Sequence, residues 1–317
     1  KLKSKKIRVL FGFFPKDLIT AINSKIFVTD HGLHYFKKLL NNSSQFFIDV
    51  NHGLPFQKWN EKIMKQWYRF DEVWLFSEMH KEIYINDFGY SKPENLIITG
   101  YGRLDYIKSF NSLDNKYELI KNIKTKYKLD LGKKTVIYAP TWIHNNSFEQ
   151  KETMNPKNLN FLSYLNSISE ELSIDLIFRP HLNTNFSSRE VSELRSFKSL
   201  KFMPQSDYGE IEEILTISDI LITDYSSISL DYILLNRPVL FLNTPSSFSL
   251  GTFKEEILKF GKKVDQPEIK YFLDLYLNKK SQYFRDCPQH METLKTIYDD
   301  PNTLASSNYI ERIKKII

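Results

Sequence analysis

Cysteine and glycine are scarce in this sequence of 317 residues, which has one Cys and 10 Gly. The lone cysteine, Cys287, excludes an internal disulfide and any multi-cysteine metal site, which suits a reducing compartment. Apolar runs are short as well, and none approaches the roughly 18 residues that a membrane-spanning helix needs. The apolar segment at residues 7–14 lacks a small-residue cleavage site, so we expect no secretory signal. Because the chain begins with Lys1 and not Met, we expect it to be a trimmed part of a longer protein.

The composition is otherwise that of a soluble globular protein, with 41% hydrophobic and 26% charged residues. The formal net charge is +6, and four lysines and an arginine crowd the first eight residues. Such an excess suits a polyanionic partner, either an anionic membrane face or a phosphate-rich polymer. No nucleic-acid motif accompanies the charge, so we expect no nucleic acid as a partner. A basic surface that binds nothing is the alternative.

Short apolar runs alternate with helical patterns along both halves of the chain. We predict strands at residues 7–13, 25–29, 46–50, 72–76, 95–99, 135–139, 174–178, 200–203, 220–223 and 239–242. We predict helices at 34–40, 58–70, 78–87, 159–172, 208–217, 227–235 and through the tail, 267–317. This alternation predicts an α/β fold with parallel sheets covered on both faces. We expect two Rossmann-like, doubly wound domains that face each other across a cleft, with ligands at the carboxyl ends of the strands.

A polar segment rich in lysine and asparagine, residues 111–134, separates the two halves. We therefore expect one domain at residues 1–128 and a second at residues 129–300. The last helix, within residues 301–317, has an apolar stripe that we expect to pack back on the first domain.

The chain is organised around the segment TDYSSISLDY, residues 223–232, where a strand leads into a helix through a polar turn. Such a turn presents backbone N–H groups and the positive end of a helix, a combination that binds phosphate. Ser226 and Ser227 fit the cap and first-turn positions, so their hydroxyls either cap the helix or reach an anion. A well-capped helix without a ligand is the alternative.

Four other strand ends carry polar residues, and His52, Arg103, Thr141 and the pair Arg179 and His181 follow them. His52 is the best general-base candidate, because a neutral imidazole can take a proton from an alcohol near neutral pH; a helix-capping histidine is the alternative. Arg179 offers forked donors for a phosphate and His181 a further donor or a proton, although a loop arginine paired with a carboxylate is equally compatible. The set has no metal-ligand spacing and no covalent nucleophile. It suits an activated hydroxyl that attacks a nucleotide-linked donor.

Five motifs in this order, HGLPFQK, GYGRLD, YAPTW, RPH and TDYSSISLDY, resemble those of the CDP-glycerol glycerophosphotransferase family, the teichoic-acid polymerase type. The resemblance covers residues 25–243 and implies a GT-B-like fold. It also implies transfer of a polyol phosphate from a CDP-polyol to a hydroxyl of a growing teichoic-acid-like or capsular polymer, with release of CMP. The resemblance makes 1–128 the acceptor-side domain and 129–300 the donor domain.

The resemblance implies a role for each matching residue. Two histidines are catalytic, the base His52 and His181 near the donor pyrophosphate. The donor-binding residues are Arg179, Thr141, Asp224, Ser226, Ser227 and Asp231, and further phosphate or acceptor contacts come from Lys58, Arg103 and Asp105. No metal ligand and no resident cofactor are implied, and a Mg²⁺ requirement stays open because no carboxylate cluster beyond Asp224 and Asp231 indicates one.

Three departures from the family pattern leave the donor open between CDP-glycerol and CDP-ribitol: Gln57, Gly102 and Ile143. A sugar-nucleotide glycosyltransferase on the same fold and a non-catalytic polymer-binding protein are further alternatives. The predicted helix at 58–70 mixes aromatic and cationic residues, which suits a membrane interface and a lipid-linked acceptor; a half-buried packing helix is the alternative there. We expect a cytoplasmic protein, peripheral on the inner face of the cell membrane.

Overall fold

The computed structural model describes residues 19, 23–30, 45–51, 53–54, 70–141, 154, 156–244 and 255–317. The predicted strand at 7–13 and the predicted helices at 34–40 and 58–70 lie outside these residues. Contacts divide the described chain into two units. The first holds the described residues up to Leu54, those from Phe70 to Tyr101, and Ser307–Ile317; the second holds those of Gly102–Ser306.

The first unit is built on a four-stranded parallel sheet in the order β1-β2-β3-β4. Its strands are β1 (Ile26–Thr29), β2 (Phe46–Asp49), β3 (Glu72–Leu75) and β4 (Leu96–Ile98). Helix α1 (Glu78–Glu82) follows β3 and continues as a π-helix (Ile83–Asp87). The hydroxyl of Ser77 accepts from the amide of His80 and so caps α1. An aromatic-rich core holds this unit together, formed by Phe47, Phe70, Val73, Leu75, Tyr84, Tyr90 and Leu96.

The second unit is built on a six-stranded parallel sheet in the order β10-β9-β8-β5-β6-β7. Its strands are β5 (Thr135–Tyr138), β6 (Asp175–Phe178), β7 (Leu200–Phe202), β8 (Ile220–Thr223), β9 (Val239–Leu242) and β10 (Lys262–Val264). Every residue of β5, β6, β8 and β9 is buried. Because successive side chains of a strand point to opposite faces, both faces of this sheet must be covered. The order reverses between β5 and β8, and such a switch point is where α/β sheets bind ligands.

Nine helices of the second unit fall within the described residues. They are α2 (Asp105–Asn111), α3 (Tyr117–Lys126), α4 (Leu159–Glu171), α5 (Ser188–Ser196), α6 (Ile211–Ile217), α7 (Ile228–Ile233), α8 (Ile269–Asn278), α9 (Lys280–Asp286) and α10 (His290–Ile297). Helices α4 and α8 bury Phe161 and Leu273 in one core cluster with Tyr138 and Ile222 of the sheet. Burying one such side chain stabilises the fold by roughly 1.5–3 kcal/mol.

The division between the units falls at Tyr101 and Gly102, not at residue 128 as the polar composition led us to expect. Helices α2 and α3 pack against α6 of the second unit. The amide of Asn111 donates to the carbonyl of Leu234 at 2.7 Å, and the hydroxyl of Tyr127 donates to Glu213 at 2.6 Å. The sequence of residues 111–134 resembles a linker because it contains few apolar residues. Three of those apolar residues, Ile123, Tyr127 and Leu129, are nevertheless buried.

The last helix, α11 (Ala305–Ile316), contributes residues to the first unit. Arg312 donates to the carboxylate of Glu72, whose exposed fraction is 5%. The ring of Tyr309 lies 4.7 Å from that of Trp74, and the indole N–H of Trp74 also donates to Glu72, at 2.7 Å. The tail, residues 267–317, was expected to be helical throughout, but it contains four separate α-helices, α8 to α11. Among the described residues, no helix combines the length and the apolar character needed to cross a bilayer.

Candidate functional site

The switch point of the second sheet is closed by a contact between two strand-end residues, Thr141 after β5 and Asp224 after β8. The amide of Thr141 donates to both carboxylate oxygens of Asp224, at 2.9 and 3.0 Å, and its hydroxyl donates to Oδ2 at 2.6 Å. The amide of Ser226 also donates to this carboxylate. Burial raises the pKa of Asp224, and the hydrogen bonds from Thr141 offset part of that rise. The carboxylate therefore fixes the two loops to each other.

The serines of the turn are not used as helix caps. Ser227 directly precedes α7, and its side chain makes no capping hydrogen bond. The carbonyl of Ser226 accepts from the amide and hydroxyl of Ser229, at 3.1 and 2.8 Å. The side-chain hydroxyls of Ser226 and Ser227 are half-buried, and neither bonds to another described residue. Of the two roles that the sequence left open, capping is therefore not seen at Ser227, and contact with an anion stays a prediction.

Arg179, which follows β6, is a structural clamp. Its exposed fraction is only 6%, and its guanidinium donates to three backbone carbonyls, those of Met203, Tyr208 and Gly209. Burial lowers the pKa of the guanidinium. Its donors therefore hold the segment between β7 and α6, where we had expected them to face a phosphate. The sequence suggested a phosphate contact or a pair with a carboxylate, and it did not indicate these backbone carbonyls as partners.

His181 lies two residues beyond Arg179 in the same loop. Its Nδ1 accepts from the amide of Asn183 at 3.1 Å, so the proton of the neutral ring is on Nε2. Partial burial lowers the pKa of the ring, which is therefore neutral at pH 7. In this state Nε2–H donates a hydrogen bond, which suits contact with a phosphate oxygen.

Asp231 on α7 belongs to a charge cluster with Arg103 and Glu212. Nε of Arg103 donates to Glu212 at 2.9 Å, and Nη2 lies 3.2 Å from Oδ2 of Asp231. Burial raises the pKa of Asp231 to about 6, against the opposing effect of Arg103. Both carboxylates compete for this arginine, so it is less suited to the phosphate contact that we expected. Glu212 was missed from the sequence because it lies in the first turn of α6, where acidic residues are common.

Asp105 does not join the switch point. Both carboxylate oxygens of Asp105 accept backbone amides at the start of α11, from Ala305 and Ser306, each at 2.8 Å. Asp105 thus caps a helix, and the expected phosphate contact is not supported. His52 and Lys58 lie outside the described residues.

Just before His52, a buried network fixes the end of β2. Asn51 has a left-handed backbone, with φ of 56°, and is 4% exposed. Its amide accepts from the hydroxyl of Tyr84 at 2.6 Å and donates to the carbonyl of Trp74 at 3.1 Å. Its backbone N–H donates to Asp49 at 2.7 Å. The conformation of residue 51 is therefore fixed from several sides, which the sequence alone did not indicate.

The loops after β8, β5 and β6, three neighbouring strands, thus carry serine hydroxyls and an imidazole N–H. Such donors bind a phosphate and position it without forming a covalent bond to it. Within the described residues, no cluster of three or more His, Cys, Asp or Glu side chains has the arrangement of a metal site.

The chain is similar in sequence to a family of known proteins. A profile of the family described as CDP-Glycerol:Poly(glycerophosphate) glycerophosphotransferase matches residues 2–245. A teichoic acid poly(glycerol phosphate) polymerase of Bacillus spizizenii is 30% identical over 221 residues, 69% of this chain and 51% of that protein. A teichoic acid glycerol-phosphate transferase of Staphylococcus aureus is 28% identical over 208 residues, 66% of this chain and 49% of that protein. The chain therefore spans about half the length of these two relatives.

Relatives with a different named polyol also match. A teichoic acid poly(ribitol-phosphate) polymerase of Bacillus spizizenii is 29% identical over 174 residues, 55% of this chain and 26% of that protein.

Solved structures show the same fold. The wall teichoic acid polymerase TagF, in a His-to-Asn variant soaked with CDPG, gives a TM-score of 0.70 at 20% identity, covering 92% of this chain and 72% of that chain. A UDP-GlcNAc 2-epimerase from Neisseria meningitidis gives 0.58 at 12% identity, covering 99% and 87%. The chain thus has a GT-B-like fold, as the motifs led us to expect.

Proposed function

The chain belongs to the CDP-glycerol:poly(glycerophosphate) glycerophosphotransferase family, and we propose on that premise that it transfers glycerol phosphate from CDP-glycerol to a teichoic-acid-like polymer. The acceptor is a hydroxyl group of the growing polymer, and the products are CMP and a polymer longer by one unit. The named activities of the relatives from Bacillus and Staphylococcus support this choice of donor and acceptor.

One observation at the switch point supports the proposed position of the donor site. Asp224 accepts hydrogen bonds from Thr141 and from the amide of Ser226. The hydroxyls of Ser226 and Ser227 bond to no other described residue. The donor pyrophosphate binds these two hydroxyls. The neutral His181 donates its Nε2–H to a phosphate oxygen. Arg179 acts on the donor only through the segment that it holds, and Asp231 only through α7 and its ion pair.

The reaction is a direct displacement at the phosphorus that carries the glycerol. The acceptor oxygen forms a bond to this phosphorus, and the bond from the phosphorus to the oxygen of CMP breaks. His52 takes the proton of the acceptor hydroxyl as the bond forms, and CMP leaves as an anion that the donors of the site stabilise.

CDP-ribitol is the second candidate donor. The match to a poly(ribitol-phosphate) polymerase supports it, as do the departures at Gln57, Gly102 and Ile143. The two donors differ only in the polyol, so the phosphate contacts proposed above apply to both.

Release of CMP tests the proposal directly. The chain is incubated with CDP-glycerol, CDP-ribitol or UDP-GlcNAc together with an oligo(glycerol phosphate) acceptor, with and without EDTA, and the released nucleotide is identified by chromatography. We expect CMP from CDP-glycerol and elongation of the acceptor. Preferential CMP release from CDP-ribitol would favour the second donor, and release of UDP alone would indicate a glycosyltransferase. Loss of activity with EDTA would establish a metal requirement.

We also propose that the protein acts at the cytoplasmic face of the membrane, on a lipid-linked acceptor. The last turns of α11 support this, because Ile310, Ile317, Lys314 and Lys315 are all exposed there. Exposed apolar and cationic side chains on one helix suit an anionic lipid surface. Sedimentation with phosphatidylglycerol vesicles at low and high salt tests this, and protein that stays in the supernatant at both salts rejects it.

A further inference from the structure

A cavity lies at the carboxyl ends of β8, β9 and β10. Its volume is about 230 Å³, and its apolar lining comes from Phe241 and Leu242 at the end of β9 and from Leu258. Pockets that hold a whole drug-sized ligand usually measure about 300–1,000 Å³. This cavity is therefore suited to a fragment the size of one polymer unit.

The apolar wall is fixed by close packing. The ring of Phe241 meets that of Phe260 edge to face, with centroids 5.3 Å apart. On its other side is Gly261, where an added Cβ would lie 2.5 Å from a carbon of the Phe241 ring and 3.0 Å from the carbonyl oxygen of Val239. Only glycine leaves room for the ring in this position. This packing fixes the Phe241 ring in place as a wall of the cavity.

Two lysines, Lys259 and Lys263, also line the cavity, and both are exposed. Lys263 lies opposite Phe241 in the register of β10 and β9. Two ammonium groups beside an apolar surface suit a ligand that has both a negative charge and C–H groups. A polyol phosphate has this combination.

The wall nearest the switch point is formed by Asp224 and Tyr225. The hydroxyl of Tyr225 donates to the carbonyl of Thr244 at 3.2 Å, which ties the loops after β8 and β9 together. Asp224 therefore borders both the proposed donor site, toward β5, and this cavity, toward β10. A group bound in the cavity would therefore lie next to the proposed donor site.

We propose that this cavity binds a glycerol-phosphate unit of the acceptor polymer, with Lys259 and Lys263 on its phosphate and the apolar wall against its carbon chain. The inference rests on the proposed function for the identity of the polymer, but it assigns a site that the transfer reaction itself does not require. Its consequence is that the chain recognises its acceptor by an internal unit as well as by the reacting hydroxyl.

Binding of oligo(glycerol phosphate) and of CMP to the full chain, measured separately by calorimetry, tests this site. Lys263→Gln removes one cation, and Leu258→Trp fills the cavity without changing the charge. Lys295→Gln, at an exposed position on α10, is the matched control. We expect Lys263→Gln to weaken binding of the oligomer about threefold to tenfold. Leu258→Trp should weaken it at least as much, and neither variant should change the affinity for CMP.

Kinetics gives a second readout. Both cavity variants should raise KM for the oligomer while KM for CDP-glycerol and kcat stay at the values of Lys295→Gln. Oligomer binding equal to that of the control in both variants overturns the site, and so does a parallel loss of CMP affinity, which would assign the cavity to the nucleotide. If Lys263→Gln binds the oligomer as tightly as the control does, Lys263 does not contact the ligand. Its role would then be to discourage pairing of the edge strand β10 with another chain.

The two proposals fail in different ways. A wild-type chain that binds the oligomer but releases no CMP contradicts the proposed function and leaves the cavity assignment intact. A chain that releases CMP with cavity variants indistinguishable from Lys295→Gln contradicts the cavity assignment alone.

Discussion

The hydroxyl of Thr141 donates to the carboxylate of Asp224 across 83 residues of sequence, and the amide of Thr141 donates to the same carboxylate. This contact joins the loops after β5 and β8, the two strands between which the order of the second sheet reverses. Asp224, which precedes the two serines of the motif TDYSS, is thus used to fix the two loops to each other.

Replacing the hydroxyl of Thr141 should therefore cost stability. We expect Thr141→Val to lower the free energy of unfolding by about 1–3 kcal/mol, because a carboxylate in a partly buried site loses a charge-assisted donor. Thr141→Ser keeps the hydroxyl and is the control. Urea denaturation measures both variants, and equal midpoints for the two would show that the hydrogen bond contributes little.

Arg179 should behave as a clamp whose shape matters more than its charge. Arg179→Lys keeps the positive charge but loses the forked donors, so two of the three carbonyls of Met203, Tyr208 and Gly209 lose a partner. We expect a loss of about 2–3 kcal/mol in the free energy of unfolding. Amide hydrogen exchange should be faster in residues 203–209. Arg195→Lys, whose exposed partner is Asp207, is the control and should change stability by less than about 1 kcal/mol. A normal exchange rate in Arg179→Lys would contradict the clamp.

The acid stability of the first unit should depend on His80. Its ring is fully buried between Phe76 and Tyr84, neither ring nitrogen bonds to a described residue, and burial lowers its pKa to about 3. The unfolded chain takes up a proton near pH 6.5 and the folded chain does not. The free energy of unfolding should therefore fall, by about 5 kcal/mol in total, as the pH decreases from about 6.5 to 3.

His80→Phe should flatten this decrease in pH-dependent denaturation curves. Some pH dependence should remain, because burial lowers the pKa of His290 in the second unit to about 4. Curves that are parallel for the wild type and His80→Phe would refute the assignment.

His52 is proposed to act on the acceptor, so its loss should separate catalysis from donor binding. We expect His52→Ala to lower kcat by at least about 100-fold, the usual contribution of a general base. The Kd for CDP-glycerol should stay within about twofold of the wild type. Calorimetry measures the affinity and CMP release the rate, and a collapse of donor affinity would assign His52 to the donor instead.

Gly261 should be intolerant of any side chain. Gly261→Ala brings a methyl group against the Phe241 ring and the Val239 carbonyl, and overpacking of this kind costs about 1–3 kcal/mol. Phe241→Leu should restore part of the loss when the two changes are combined. Thermal unfolding of the single and double variants tests the coupling, and strictly additive effects would contradict the contact.

Strands β5, β6, β8 and β9 could be predicted from the sequence, because each is a fully buried strand that appears as a short apolar run. Strand β10 was missed because two of its three residues are lysines, which suit the edge of a sheet and obscure the pattern. Helix α5 was missed although Ser187 and Glu190 form a capping box, because Leu194 is its one fully buried residue.

The positions of the site residues were predictable, but their partners were not. Each lies just after a strand, and parallel strands end at one edge of a sheet, so Thr141, His181 and Asp224 could be grouped in advance. The partners of Arg179 are backbone carbonyls, which have no signature in a sequence. Arg103 and Glu212 meet across 109 residues, and no local pattern indicates which of many charges will pair.

The ion pair of Glu72 with Arg312 has a consequence for biosynthesis. Glu72 is added to the chain 240 residues before its partner. A ribosome must therefore translate the whole of the second unit before the first receives Arg312, and a buried carboxylate that lacks its cationic partner costs several kcal/mol. The unit that begins translation first is thus the last to mature, and ribosome-bound intermediates should carry a first unit that is still sensitive to protease.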